Sequence, residues 1–288
     1  VRQAQGDTVT PVVLSVSAVV FNIVLTGIFV QGLGMGVFGA GLATVLGNVA
    51  VAPVCLFLLF SKRQTLHLEW GRMALSWPIL FRLTRIAAPA AFSQALSSLG
   101  FLVLQTVILS YGEAVTAAFS IGNKISNILL MPVLALGSVL AAYVGQNIGA
   151  GNGARARQAY RVSRNIGFVI AVVGSLILLP FREELVALLS NDGATQTAAV
   201  EYMFWVLITQ PLMSLFQNYL GVFNGSGKTI YAFWMSTARL WLVRLPLIML
   251  FKYFTTVGST GVWYAMVLSN FIILFLGAFL YRRVDFTP

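Results

Sequence analysis

Acidic charge is what this 288-residue sequence most lacks: it has eight Asp and Glu residues in all. Charged residues of both signs make up 9% of the chain, against roughly 25% in an ordinary soluble domain. Hydrophobic residues reach 58% and the mean hydropathy is +0.87, which excludes a soluble globular fold and a disordered chain. One cysteine, Cys55, excludes an internal disulfide framework, and one histidine, His67, cannot build a metal site. No short apolar run with a cleavage site opens the chain, so no signal peptide is expected. Position 1 is Val rather than Met, and the start of the protein is expected to have been lost.

What remains is apolar material that has to face lipid. A spanning helix needs about 20 apolar residues. Eight segments qualify, at 11–31, 37–60, 86–110, 114–147, 165–189, 197–223, 230–252 and 259–281. None alternates with period 2 as a membrane barrel would, so all read as helices, which satisfy their own backbone hydrogen bonds in lipid. Pro132 and Gly137 predict a kink or tilt in the long fourth segment.

The basic residues supply an orientation. Alternating the spans puts Arg2, Lys62, Arg63, Arg72, Arg82, Arg85, Arg155, Arg157, Arg161, Arg164, Lys228, Arg282 and Arg283 on one side and only Arg182 and Lys252 on the other. Lys124, Arg239 and Arg244 fall inside spans. This asymmetry makes the first side, with both chain ends, cytoplasmic, and the expected location is the plasma (inner) membrane. The net charge of +10 then reflects topology, and no nucleic-acid partner is expected. Trp70, Met73, Trp77 and Phe81 recur at helical spacing within the 61–85 loop, which predicts an amphipathic helix on the cytoplasmic leaflet.

The sequence also repeats itself. Gly39–Asn48 aligns with Gly261–Asn270 at an offset of 222, with Gly39/Gly261, Ala43/Ala265, Val45/Val267, Leu46/Leu268 and Asn48/Asn270 identical. Upstream, Gly6-Asp7-Thr8 aligns with Gly227-Lys228-Thr229. Spans 1–2 are therefore equivalent to spans 7–8. Four spans precede the later copy and none precedes the earlier one, so a six-helix unit implies a twelve-helix parent. In that reading residues 1–60 are the last two helices of an N-terminal bundle, 61–85 an inter-bundle loop, and 86–288 a complete six-helix C-terminal bundle. Parallel repeats of this kind are a transporter architecture.

Several segments stand in a telling order: Gly6-Asp7-Thr8-x-x-Pro11, Pro89-Ala90-Ala91, Gly145-Gln146-Asn147-Ile148-Gly149-Ala150-Gly151, Asn224-Gly225-Ser226-Gly227 and Arg239-Leu-Trp241-Leu-Val-Arg244-Leu-Pro246. Together they make the chain resemble the multidrug and toxic compound extrusion (MATE) family of cation-coupled efflux transporters. The resemblance implies an all-helical polytopic membrane protein that exports small amphipathic, often cationic compounds in exchange for H⁺ or Na⁺. It implies no cofactor, no enzymatic activity and a monomer in the full-length form, completed by the missing N-terminal helices. A flippase for lipid-linked saccharides shares the superfold. An integral-membrane enzyme would need a cluster of His, Asp or Glu that the sequence does not show.

Gly225-Ser226-Gly227-Lys228-Thr229 mimics the end of a phosphate-binding loop, but Val222 stands where the motif needs Gly and an apolar span precedes it. A tight helix–helix turn is expected instead. Candidate substrate-cavity residues are Gln94, Ser98 and Gln105; Lys124 and Asn127; and Gln210, Ser214 and Gln217, each set at helical spacing. Such polar stripes either hold helices together or line a wet cavity. Arg239 and Arg244 are structural or cavity cations. No carboxylate falls at the middle of a span, so the coupling-ion site is expected in the missing first bundle.

Overall fold

The computed structural model describes residues 9–60 and 76–286. They form helices α1 (Val9–Thr26), α2 (Gly36–Phe60), α3 (Trp77–Leu109), α4 (Glu113–Gly149), α5 (Gly153–Leu178), α6 (Arg182–Ala187), α7 (Gly193–Gly225), α8 (Thr229–Thr237), α9 (Leu245–Phe254) and α10 (Thr260–Tyr281). α1 runs on into a π-helical turn, Gly27–Gly32, and a second π-helical segment, Ala238–Arg244, joins α8 to α9. There is no strand among the described residues, and eight helical stretches are long and apolar enough to cross a membrane. The chain is an integral, multi-pass membrane protein.

Two boundaries differ from the sequence expectation. α5 starts at Gly153 and ends at Leu178, where the sequence predicted a span over 165–189. Arg155, Arg157, Arg161 and Arg164 depress the local hydropathy, yet Ala156, Tyr160, Ser163 and Gly167 are buried at helical spacing. The basic stretch is thus the amphipathic opening of the helix rather than a loop. Residues 179–189, expected inside the span, instead hold the short α6. Likewise α3 begins at Trp77, so Trp77 to Arg85 form its first turns. The rest of the expected amphipathic helix, with Trp70 and Met73, lies outside the described residues, as does Gly6-Asp7-Thr8.

The chain divides into two units, Val1–Leu80 and Phe81–Pro288. In the first, α1 and α2 form a hairpin. Gly47 lies where a Cβ would come 3.2 Å from Asn22 Cβ, and Asn22 Nδ2 donates to Thr44 Oγ1 at 3.1 Å. α1 has no buried residue.

In the second unit α7 is the central helix. It meets α4 along a seam of small residues. A Cβ on Gly221 would sit 2.6 Å from the Gly137 carbonyl oxygen, and one on Gly145 would sit 3.1 Å from that of Gly225. Gly221-x-x-x-Gly225 is the spacing that lets membrane helices approach backbone to backbone. Gly137 is thus a helix contact. On the other flank, the buried row Ser163, Gly167, Ala171 and Ser175 of α5 faces α7, and Ser175 Oγ donates to the Leu207 carbonyl at 2.8 Å. α10 packs on α7 with nine buried residues, Trp263 among them. Gly227, at φ 72°, turns the chain from α7 into α8, so the segment that mimics a phosphate-binding loop is a helix–helix turn.

Candidate transport-pathway face

The predicted polar residues separate into two groups. The first is sealed inside the bundle. Gln210 and Ser214 are 2% and 0% exposed. Gln210 Nε2 donates to Ser126 Oγ on α4, and Ser214 Oγ lies against Gly167 of α5. One turn on, Asn218 accepts from Ser163 Oγ at 2.6 Å and donates to the Ser214 carbonyl at 2.9 Å. This polar ladder ties α7 to α4 and α5. Gln210 Oε1 and Ser214 Oγ are buried with no hydrogen-bond partner among the described atoms. The sequence reading missed Ser126, Ser163 and Asn218. The signal for Asn218 was the strict four-residue step from Gln210 through Ser214, which continues to 218 rather than to Gln217.

The two span arginines are also engaged. Arg244 Nε donates to Ser269 Oγ at 3.0 Å, and its Nη2 donates to Asn270 Oδ1 at 2.7 Å. The Arg239 guanidinium lies 4.3 Å from the Phe216 ring centroid, and its Nη1 reaches Met213 Sδ at 3.1 Å. Neither contact involves a carboxylate. A ring face and a thioether are weaker partners, so Arg239 is a cation held by soft groups. The π-helical segment carries both arginines, and in membrane helices such segments re-aim side chains.

The second group is open. Gln94 and Ser98 on α3, and Lys124 and Asn127 on α4, are exposed, while Gln105 and Gln217 are half-buried. Lys124 lies eleven residues into α4, about 16 Å along the axis. Its ammonium has no hydrogen bond or ion pair with any described residue. Asn127 and Met131 continue its face of α4, and Met131 is 63% exposed. A bare ammonium at that depth costs about 2.5–3.5 kcal/mol against hydrocarbon. Water or a polar partner has to meet it. Phe119, Tyr202 and Trp263 form an aromatic cluster with ring centroids 4.3–6.4 Å apart, and Tyr202 Oη donates to Asn123 Oδ1 at 3.2 Å.

Six acidic residues are described: Glu113 opens α4, Glu183 and Glu184 belong to α6, Asp192 caps α7, Glu201 lies eight residues into α7, and Asp285 follows α10. Among the described residues no group of three His, Cys, Asp or Glu is placed to hold a metal ion.

The described residues thus form an all-helical, multi-pass membrane protein with polar groups of α3 and α4 left open within their spans. The MatE family profile matches residues 89–250, and the chain belongs to that family. It is 24% identical over 265 residues to a Bacillus subtilis protein named "Probable multidrug resistance protein YoeA", covering 90% of this chain and 57% of that one. It is 25% identical over 293 residues to a Shewanella oneidensis protein named "FAD transporter", covering 98% of this chain and 63% of that one. A crystal structure of a MATE protein in complex with MaL6 superposes with a TM-score of 0.91 at 24% identity, over 98% of this chain and 63% of that one. The chain thus spans 57% and 63% of the length of these two curated relatives.

Proposed function

We propose that the protein serves as a secondary active efflux transporter, exporting small amphipathic, often cationic compounds in exchange for H⁺ or Na⁺. The observation that carries this reading is the open, unpaired Lys124–Asn127 face at mid-span of α4 in a chain of the MatE family. Names of relatives such as YoeA support it. In this reading residues 1–60 belong to a first bundle and 86–288 form the second, with the side bearing most basic residues cytoplasmic. Lys124, Asn127, Gln94 and Ser98 meet substrate, with Gln105 and Gln217 at the margin. No described carboxylate sits at the middle of a span, so the coupling group is sought outside this set. A lipid-linked saccharide flippase would want several free cations for a pyrophosphate. Arg239 and Arg244 are both spent on contacts inside the bundle, which favours the efflux reading.

The test is an efflux assay in energised vesicles with a panel of amphipathic dyes. Lys124→Ala should change the relative export of cationic and anionic dyes several-fold and leave the ion dependence unchanged. Equal loss for every dye, or no ion-driven export by the parent protein, would overturn the assignment.

A further inference from the structure

We propose that the groove between α4 and α5 binds an anionic phospholipid, its phosphate at Arg155 and one acyl chain along the apolar remainder. The groove encloses about 400 Å³. Tyr143, Arg155 and Gln158 line one end, and Leu136, Val162 and Ile166 line the other. On α5 the positions 155, 158, 162 and 166 share one helical face, which therefore passes from cation through amide to hydrocarbon. The step from Arg155 to Ile166 is about 16 Å of helix. The floor is low because Ala159 and Ser163 are small and Leu140 is 3% exposed.

Charge selects the headgroup. Arg157, Arg161 and Arg164 share this end of α5 with Arg155. The one acid on α4 and α5 is Glu113, at the far end of α4. Asp285 sits on the tail that packs against the start of α5, where Arg157 covers the Phe286 ring at 5.1 Å, and it offsets one of the four arginines. Arg157 and Arg164 are held by neighbouring rings. The Arg155 guanidinium makes no hydrogen bond or ion pair with the described residues, and its planar fork suits a phosphate. The amine of a zwitterionic headgroup would meet the arginine cluster as a like charge. A lone surface arginine changes anionic-lipid affinity about five-fold; the apolar channel below it converts that attraction into a fixed site.

Native mass spectrometry of the purified protein, equilibrated with phosphatidylglycerol and phosphatidylethanolamine of matched chains, reads this directly. Phosphatidylglycerol should be retained in preference. Arg155→Gln should cut its retention about five-fold. Val162→Trp, which fills the groove without altering charge, should cut it comparably, and Arg282→Gln, an equal charge loss outside the groove, should leave it unchanged. Equal retention of the two lipids would overturn the proposal. So would equal losses in Arg155→Gln and Arg282→Gln, which would mean diffuse attraction alone, or full retention in Val162→Trp.

Discussion

The first and last helical hairpins are built on the same joints and filled with different chemistry. Gly39 lies against Phe29, and 222 residues later Gly261 lies against Phe251. Gly36 at φ 55° and Gly258 at φ 66°, again 222 apart, turn the chain into the second helix of each. The crossing of residue 22 over residue 47 in the first corresponds to that of 244 over 269 in the second. There the likeness stops. The first crossing joins Asn22 to Thr44 beside Gly47, and the second seats Arg244 on Ser269 and Asn270. Among the described residues α2 buries Gly39, Ala43, Gly47 and Val51, whereas its counterpart α10 buries nine residues. Backbone approach is set by glycines, where an added side chain would force a neighbour to shift. The polar filling is free to change, so a cation has been accepted in one copy only.

If the hairpins are parallel repeats, their turns lie on one side of the membrane. This is the sharpest break point, because the outcome is all or none. Cysteines at Leu33 and Val257, both exposed turn residues, should react with an impermeant thiol reagent from outside, and one at Ala154 only from within. Cys55 is exposed and is replaced by Ser first. Gly153 is avoided, because a side chain there would meet the Phe286 carbonyl. Opposite labelling of Leu33 and Val257 would end the parallel-repeat reading.

Next in size is the glycine joint itself. A Cβ on Gly261 would sit 2.8 Å from Phe251 Cβ, and one on Gly39 would sit 2.8 Å from Met35 Cβ and 3.1 Å from Phe29 Cβ. Gly261→Val should cost about 3 kcal/mol, the upper range for overpacking. Gly39→Val should cost less, since its hairpin has little packed around it to resist a shift. Thermal unfolding in detergent compares them, and a larger loss at Gly39 would contradict the burial argument.

The polar filling should matter less than the backbone. Arg244→Ala strands Asn270, which is 6% exposed, at a cost of about 1–3 kcal/mol for an unmet buried polar group. Arg244→Asn together with Met266→Thr and Ser269→Gly transplants the first hairpin's crossing into the second. It should recover at least half of that loss in the same melt. A triple variant no better than Arg244→Ala would show that the joints are alike in spacing only.

Spans and joints were legible because hydropathy and glycine spacing are properties of the chain alone. Eight stretches of sufficient length and the 222-residue offset needed no knowledge of neighbours. The start of α5 was hidden because four arginines masked a helix whose evidence is periodic burial, not hydropathy. The polar stripes were visible, but their roles were not. Gln210 and Lys124 look equally polar in sequence; one hydrogen-bonds Ser126 inside the bundle and the other stands open. Which helix covers a stripe is a long-range fact. The small-residue row of α5, Ser163-x-x-x-Gly167-x-x-x-Ala171-x-x-x-Ser175, which faces α7, is a sequence signal that went unread because its start lay outside the expected span.

The smallest effect concerns pH, and the hairpins define where to look. Neither α1–α2 nor α8–α10 contains an acidic residue, so neither can give the fold an acid transition. Asp192 can. It caps α7, accepting from Thr195 N at 2.9 Å and Thr195 Oγ1 at 2.6 Å. These bonds, the side-chain one foremost, hold its carboxyl below the usual carboxylate range. A carboxylate favoured in the fold stabilises it at any pH above its unfolded value, and the contribution is lost as pH falls through the lower folded value. The protein should therefore melt slightly earlier as pH drops below the usual carboxylate range. Asp192→Asn keeps an acceptor for the α7 amide and should flatten that slope while leaving both hairpins intact. The group is exposed and the cap is one among many contacts, so the shift should be small but of fixed sign. A slope that survives in Asp192→Asn would overturn the assignment of the acid sensitivity to this cap.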